Sequence, residues 1–169
     1  MRVKDAYAAL AHARSLPYVN GKRVGIMGGS HGGSTTLNAM VSPEERDGFT
    51  AAVSLYPACG VRIGGWYVRG GIYRPTAPLL ILIGEKDDWT PAEPCRRMAE
   101  AAQAAGFPVS IKVYPGAHHS FDNDRPERYA AARINMNAPN RRGATTGGHA
   151  QAWADSIRAV EAFFGRHLK

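Results

Sequence analysis

Hydrophobic and polar positions alternate along this chain in blocks of two kinds. Short apolar runs of five to seven residues are separated by longer stretches with helical spacing. Residues 3–16 place Val3, Tyr7 and Leu10 on one helical face, and Pro17 marks the boundary. Arg23-Val24-Gly25-Ile26-Met27-Gly28 then reads as a strand ending in glycine. Residues 31–41 form the next helical segment and stop at Ser42-Pro43. Thr50 to Tyr56 is a second strand, followed by Pro57 and a glycine-rich loop over 58–77. Leu79-Leu80-Ile81-Leu82-Ile83 is a third. Its unbroken apolar character suits a strand buried on both faces of a parallel sheet.

Thr90-Pro91-Ala92-Glu93 reads as a helix start. Thr90 is placed to cap, Pro91 sits at the first helical position and Glu93 completes a capping box. That helix ends near Gly106. Ser110 to Tyr114 is the fourth strand, and residues 116–147 read as a long irregular stretch. A last helix over 149–167 puts Trp153, Ile157, Val160 and Phe164 on one face. Four strands alternating with helices predict an α/β fold with about four parallel strands and helices on both faces. With 169 residues, 44% of them hydrophobic, one domain over 1–169 is expected.

Charge changes this picture little. The net charge of +7 admits anionic partners, but the basic residues are scattered. Their densest group, Arg141-Arg142 with Arg133, has no interleaved aromatic platform, so nucleic acid is not an expected partner. No apolar run is long enough to span a bilayer, and no membrane partner is expected. The first residues lack the apolar stretch of a signal peptide. A soluble, cytoplasmic protein is expected unless the chain is a piece of an exported precursor.

The candidate chemistry lies at the strand ends. Gly28-Gly29-Ser30-His31-Gly32 matches G-x-S-x-G between an apolar strand and a helical segment, the context of a nucleophile elbow. Glycines on either side of Ser30 leave room for a sharp turn. The helix behind it points its positive dipole end at developing negative charge. Serine needs a base, and the base needs an orienting acid. The third strand ends in Gly84-Glu85-Lys86-Asp87-Asp88-Trp89-Thr90-Pro91. Asp87 is the preferred acid there, with Asp88 its competitor and Glu85 a distant third. The fourth ends in Tyr114-Pro115-Gly116-Ala117-His118-His119-Ser120-Phe121, where His119 is preferred over His118 as the base. No metal-ligand spacing accompanies the paired histidines, so neither metal nor cofactor is expected.

These three motifs together resemble the dienelactone hydrolase family of the α/β-hydrolase superfamily. The family's acid in G-x-x-D-x-x-x-P falls on Asp87, and its histidine in H-x-F falls on His119. The resemblance spans nearly the whole chain. It implies a Ser30–His119–Asp87 triad acting through an acyl-enzyme, with the backbone N–H of His31 as an oxyanion donor. Trp66, Tyr67 and Trp89 fall in strand-end loops where they would line a substrate pocket or pack the loops.

Two departures shape what the resemblance implies. The namesake enzymes use a cysteine nucleophile where this chain has Ser30, so a general carboxylic ester fits better than dienelactone. The family fold has eight strands in the order 1-2-4-3-5-6-7-8 with the nucleophile after the fifth. Here it follows the first strand, so the chain corresponds to a natural minimal version or a fragment. The usual second oxyanion donor, from the loop after strand three, is then missing, a loss typically worth about 10²–10³ in turnover. The uncovered apolar edge of strand 23–28 implies a homo-oligomer joined there. In this fold Cys59 and Cys95 come to the same end of adjacent strands. A disulfide and two free buried thiols are the alternatives. A small-molecule ester hydrolase is the leading reading. A binding or oligomerisation domain that keeps the motifs, and an acyltransferase, are the rivals.

Overall fold

The computed structural model describes residues 2–41, 48–59 and 71–169. The elements run α1 (Arg2–Ser15), β1 (Gly25–Gly29), α2 (His31–Ala39), β2 (Ala51–Leu55), β3 (Leu79–Gly84), α3 (Ala92–Ala104), β4 (Val109–Tyr114), β5 (Arg128–Ile134), β6 (Arg142–Thr146) and α4 (Ala150–His167). Strands β1 to β4 form one parallel sheet in sequence order. The α/β class and the four parallel strands are therefore those predicted.

Burial explains the sheet. Every residue of β2 and β3 is buried, as strands covered by helices on both faces must be; β3 is apolar up to Gly84, and the buried Ser54 of β2 donates its hydroxyl to the Gly33 carbonyl. Glycines on β1 show the two covers directly. A side chain at Gly25 would meet the Phe164 ring of α4. One at Gly28, on the opposite face, would meet the backbone of Gly32 in α2. Leu37 and Met40 from the α2 region share one buried core with Val53, Leu79, Ile81, Leu82 and Ile83 of the sheet. Helix α1 joins this core through Leu10, and Tyr7 donates a hydrogen bond to the carbonyl of Ala39.

Three expectations are corrected. The stretch over 116–147 is not wholly irregular, because β5 and β6 pair antiparallel with a bulge between Ala130 and Ile134. On α4 the inward stripe is Ala152, Ser156, Val160 and Phe164, with Ala159 and Phe163 beside it. Ile157, expected inside, is 49% exposed. Helix α3 begins one step later than its capping signature suggests. Its N-cap is Pro91, with no side-chain cap, and Thr90 lies outside the helix.

Cys59, just after β2, and Cys95, in α3, are joined as a disulfide with their Cα atoms 4.9 Å apart. It ties the loop leaving β2 to the helix that follows β3. Among the described residues, no helix is long and apolar enough to cross a membrane.

Candidate active site

The carboxyl ends of β1, β2, β3 and β4 bring together the residues the sequence singles out. Ser30 stands between β1 and α2 with φ 55° and ψ −115°, in the left-handed half of backbone space. The turn is held from both sides. The Ser30 N–H donates to the Leu55 carbonyl at the end of β2, and its own carbonyl accepts from Ser34 N–H. Gly28 is required because a Cβ there would lie 2.5 Å from the carbonyl carbon of Gly32. Gly32 itself has open space, so only the first glycine of the pair is sterically required, contrary to expectation.

Strain gathers around this point. Among the described residues, the non-glycine positions with positive φ are Ser30, Tyr56, Ser120 and Arg141. The first three flank the site, where such conformations, costing about 1–3 kcal/mol each, re-aim side chains. Gly84 serves the same end differently. A Cβ there would lie 2.3 Å from the Ala117 carbonyl oxygen, so the loops after β3 and β4 cross almost in contact.

That crossing seats His119 against Asp87. The imidazole is completely buried. Its Nδ1 lies 2.8 Å from Asp87 Oδ2 and its Nε2 lies 2.8 Å from Ser30 Oγ. With a carboxylate facing Nδ1, that nitrogen carries the proton, leaving Nε2 to accept from the Ser30 hydroxyl. Asp87 is buried too, and its charge is compensated by hydrogen bonds. Oδ1 accepts from the N–H groups of Trp89 and Thr90 at 3.0 and 2.8 Å. Oδ2 faces His119 and the Thr90 hydroxyl, the latter at 2.9 Å.

The competing residues are engaged elsewhere. Asp88 accepts from Thr145 of β6 through both the backbone N–H and the hydroxyl. Glu85 accepts from Gly116 N–H. His118 turns its Nε2 to Glu127 at 3.3 Å. His31 heads α2, and its N–H, in the first helical turn, has no acceptor within the helix. Its side chain is exposed.

Two aromatic rings enclose the imidazole. Tyr56 meets His119 edge to face at 4.8 Å, and Trp89 lies 4.7 Å from it. The Tyr56 hydroxyl donates to Asp122 at 2.8 Å. Burial first, then the Asp122 charge, raises its pKa well above that of a free tyrosine. Of the predicted pocket aromatics, Trp89 is at the site, while Trp66 and Tyr67 lie outside the described residues.

The β5–β6 hairpin, which the sequence pattern does not predict, is part of this neighbourhood. Trp89 Nε1 donates to the Ile134 carbonyl, and the Arg133 guanidinium sits 4.5 Å from the Trp89 ring centre. Buried Asn135 donates to the carbonyls of Asp88 and Gly143. At the hairpin base, Thr146 bridges to His119 and Gly147 N–H donates to the His119 carbonyl.

The profile of the dienelactone hydrolase family matches residues 1–168. The chain belongs to that family. It is 27% identical over 146 residues to the uncharacterized peptidase YuxL of Bacillus subtilis (strain 168), covering 70% of this chain and 22% of that one. The chain thus spans about a fifth of the length of the curated relatives it matches. Among solved structures, a dienelactone hydrolase-like promiscuous phosphotriesterase from metagenomic libraries superposes with a TM-score of 0.71. It is 21% identical and covers 99% of this chain and 62% of that one. A puromycin-hydrolyzing peptidase of Mycobacterium tuberculosis superposes at 0.69, with 23% identity, 98% of this chain and 25% of that one. These superpositions show the α/β-hydrolase fold in dienelactone hydrolases and in larger peptidases alike.

Proposed function

We propose that this chain carries the catalytic centre of a serine hydrolase that cleaves carboxylic esters through an acyl-enzyme. The observation that supports it most is the bridging of Ser30 and Asp87 by one buried imidazole, at 2.8 Å on each side.

Ser30 Oγ attacks the ester carbonyl as His119 Nε2 takes its proton. Asp87 holds the ring by Nδ1–H and stabilises the imidazolium. The His31 N–H donates to the oxyanion, aided by the positive end of α2. His119 then protonates the departing alcohol, leaving an acyl group on Ser30. Water, deprotonated by the same nitrogen, releases the acid and restores the serine. The sequence draws on no cofactor. Trp89, beside the imidazole, is the proposed wall for the acyl or alcohol group.

Peptidases among the relatives favour a second reading, in which the same centre cleaves amides. A fluorophosphonate probe on wild type and Ser30→Ala tests the centre, and p-nitrophenyl acetate beside a p-nitroanilide separates the bonds cleaved. Labelling at Ser30 with faster ester turnover is expected. Absent labelling together with equal background rates in both proteins would instead favour a binding module. Transfer to added alcohols, seen as new esters among the products, would mark an acyltransferase.

A further inference from the structure

The sequence assigns Thr90 to capping helix α3, and the structure does not use it there. The helix begins behind Pro91 without a side-chain cap. The Thr90 hydroxyl instead points into the site. It lies 2.9 Å from Asp87 Oδ2, 2.9 Å from His119 Nδ1 and 3.1 Å from the Tyr56 carbonyl. One oxygen thereby touches the segments that leave β2, β3 and β4.

Its single proton decides how it acts. Both Asp87 Oδ2 and the Tyr56 carbonyl accept hydrogen bonds, and the carboxylate is the stronger acceptor and the nearer. With the proton directed to Asp87, a lone pair of Oγ1 remains to face the N–H on His119 Nδ1. The hydroxyl, the carboxylate oxygen and the ring nitrogen then close a triangle with sides of 2.8, 2.9 and 2.9 Å. The rings of Tyr56 and Trp89 limit how the imidazole tilts. A second polar atom on the same N–H adds a directional contact in the ring plane, and so helps set the direction of Nε2 toward Ser30.

We propose that Thr90 is a positioning residue for the catalytic imidazole, holding His119 and Asp87 in register through its hydroxyl. It touches neither substrate nor the reacting atoms. The inference rests on the proposed Ser30–His119–Asp87 chemistry, and its test separates the two. Because the hydroxyl makes no cap bond, Thr90→Val keeps the shape of the side chain and removes only the polar atom.

Wild type, Thr90→Val and Thr90→Ser are compared in the full chain, with Ser30 labelling of wild type as the check on the underlying reading. Thr90→Val is expected to lower kcat about tenfold with KM unchanged, the scale of one aligned hydrogen bond. Thr90→Ser is expected to restore it. The His119 Nδ1 proton, followed by NMR, should shift in Thr90→Val and return in Thr90→Ser. Labelled wild type with unchanged kcat in Thr90→Val would overturn the proposal, as would a loss that serine does not rescue. If wild type fails to label, the proposed chemistry fails. The Nδ1 resonance still decides whether Thr90 holds the imidazole, and an unmoved resonance overturns that contact by itself.

Discussion

Asp88 and Thr145 are joined by two hydrogen bonds of 2.8 Å, so the acid next to Asp87 fastens the β5–β6 hairpin and turns away from the imidazole. The two neighbouring carboxylates therefore do different work. Replacing Asp87 by Asn keeps the volume but favours the wrong imidazole tautomer. It should lower kcat by about 10⁴, as loss of the orienting acid does in serine hydrolases. Asp88→Asn should leave kcat on a small ester within about tenfold of wild type, because it weakens only charge-assisted bonds to the hairpin. Steady-state kinetics on both variants checks this. Equal losses would mean that the hairpin, and not the acid alone, sets the geometry.

The two glycines of the elbow should respond oppositely. A methyl at Gly28 would collide with the backbone of Gly32, and backbone cannot yield as a side chain end can. Gly28→Ala should cost about 1–3 kcal/mol, the range for overpacking, and abolish Ser30 labelling. At Gly32 the added methyl meets open space, inside a helix where alanine is preferred to glycine. Gly32→Ala should keep both labelling and stability. Urea melts of the two variants provide the comparison.

The sequence was most legible where one force dominates. A continuous apolar run predicts β3, since a strand buried on both faces tolerates little else, and a mostly apolar run predicts β2. That Ser30, Asp87 and His119 come together is legible because each follows a strand, and parallel strands bring their ends to one edge. The β5–β6 hairpin is hidden because β5 is Ala- and Arg-rich and largely exposed, β6 is short, and a bulge breaks any two-residue period. Its local signal is turn chemistry, Asn137 to Gly143, which is equally compatible with a loop. Thr90 misled for a related reason. Its side chain chooses between a helix end and a buried carboxylate, and only the fold puts that carboxylate within reach.

Alkaline stability should fall steeply above pH 10. Tyr56 and Tyr114 both have raised pKa values in the folded protein, chiefly through burial, with Asp122 and Asp155 adding to it. Their contribution is complete below about pH 10, where unfolded tyrosines begin to ionise. Above it the unfolded chain binds fewer protons than the folded one. Stability is then lost progressively as pH rises toward the folded pKa values. Thermal melts from pH 8 to 11 should show a shallower alkaline decline for Tyr56→Phe than for wild type. Parallel curves would remove Tyr56 as a cause.

The Cys59–Cys95 link closes a loop with a sequence separation of 36 residues. In the chain-entropy account a loop of that size contributes about 3–4 kcal/mol. Cys95→Ser should therefore lower the urea midpoint markedly, and reductant should lower that of wild type toward the same value. Intact mass after alkylation, with and without reductant, reports the bond itself. Two alkylated thiols without reductant would count against it.

The outer edge of β1 carries the last prediction. Among the described residues, β1 pairs only with β2, leaving one row of its backbone groups without a strand neighbour. Edge strands are commonly guarded by lysine, proline or an inward charge. Gly25-Ile26-Met27-Gly28-Gly29 has none of these, and Met27 is 56% exposed. We propose that a second copy of the chain covers this edge, since an identical strand supplies the matching donors and acceptors and buries Met27 against its equivalent. Light scattering at micromolar concentration should then give a mass above the 18.2 kDa of one chain. Met27→Lys places a charge in the seam and should return the mass to that of a single chain, while Ser30 labelling reports that the site still forms. A wild-type mass of one chain at that concentration would refute the pairing. An oligomer that survives Met27→Lys would place the contact elsewhere.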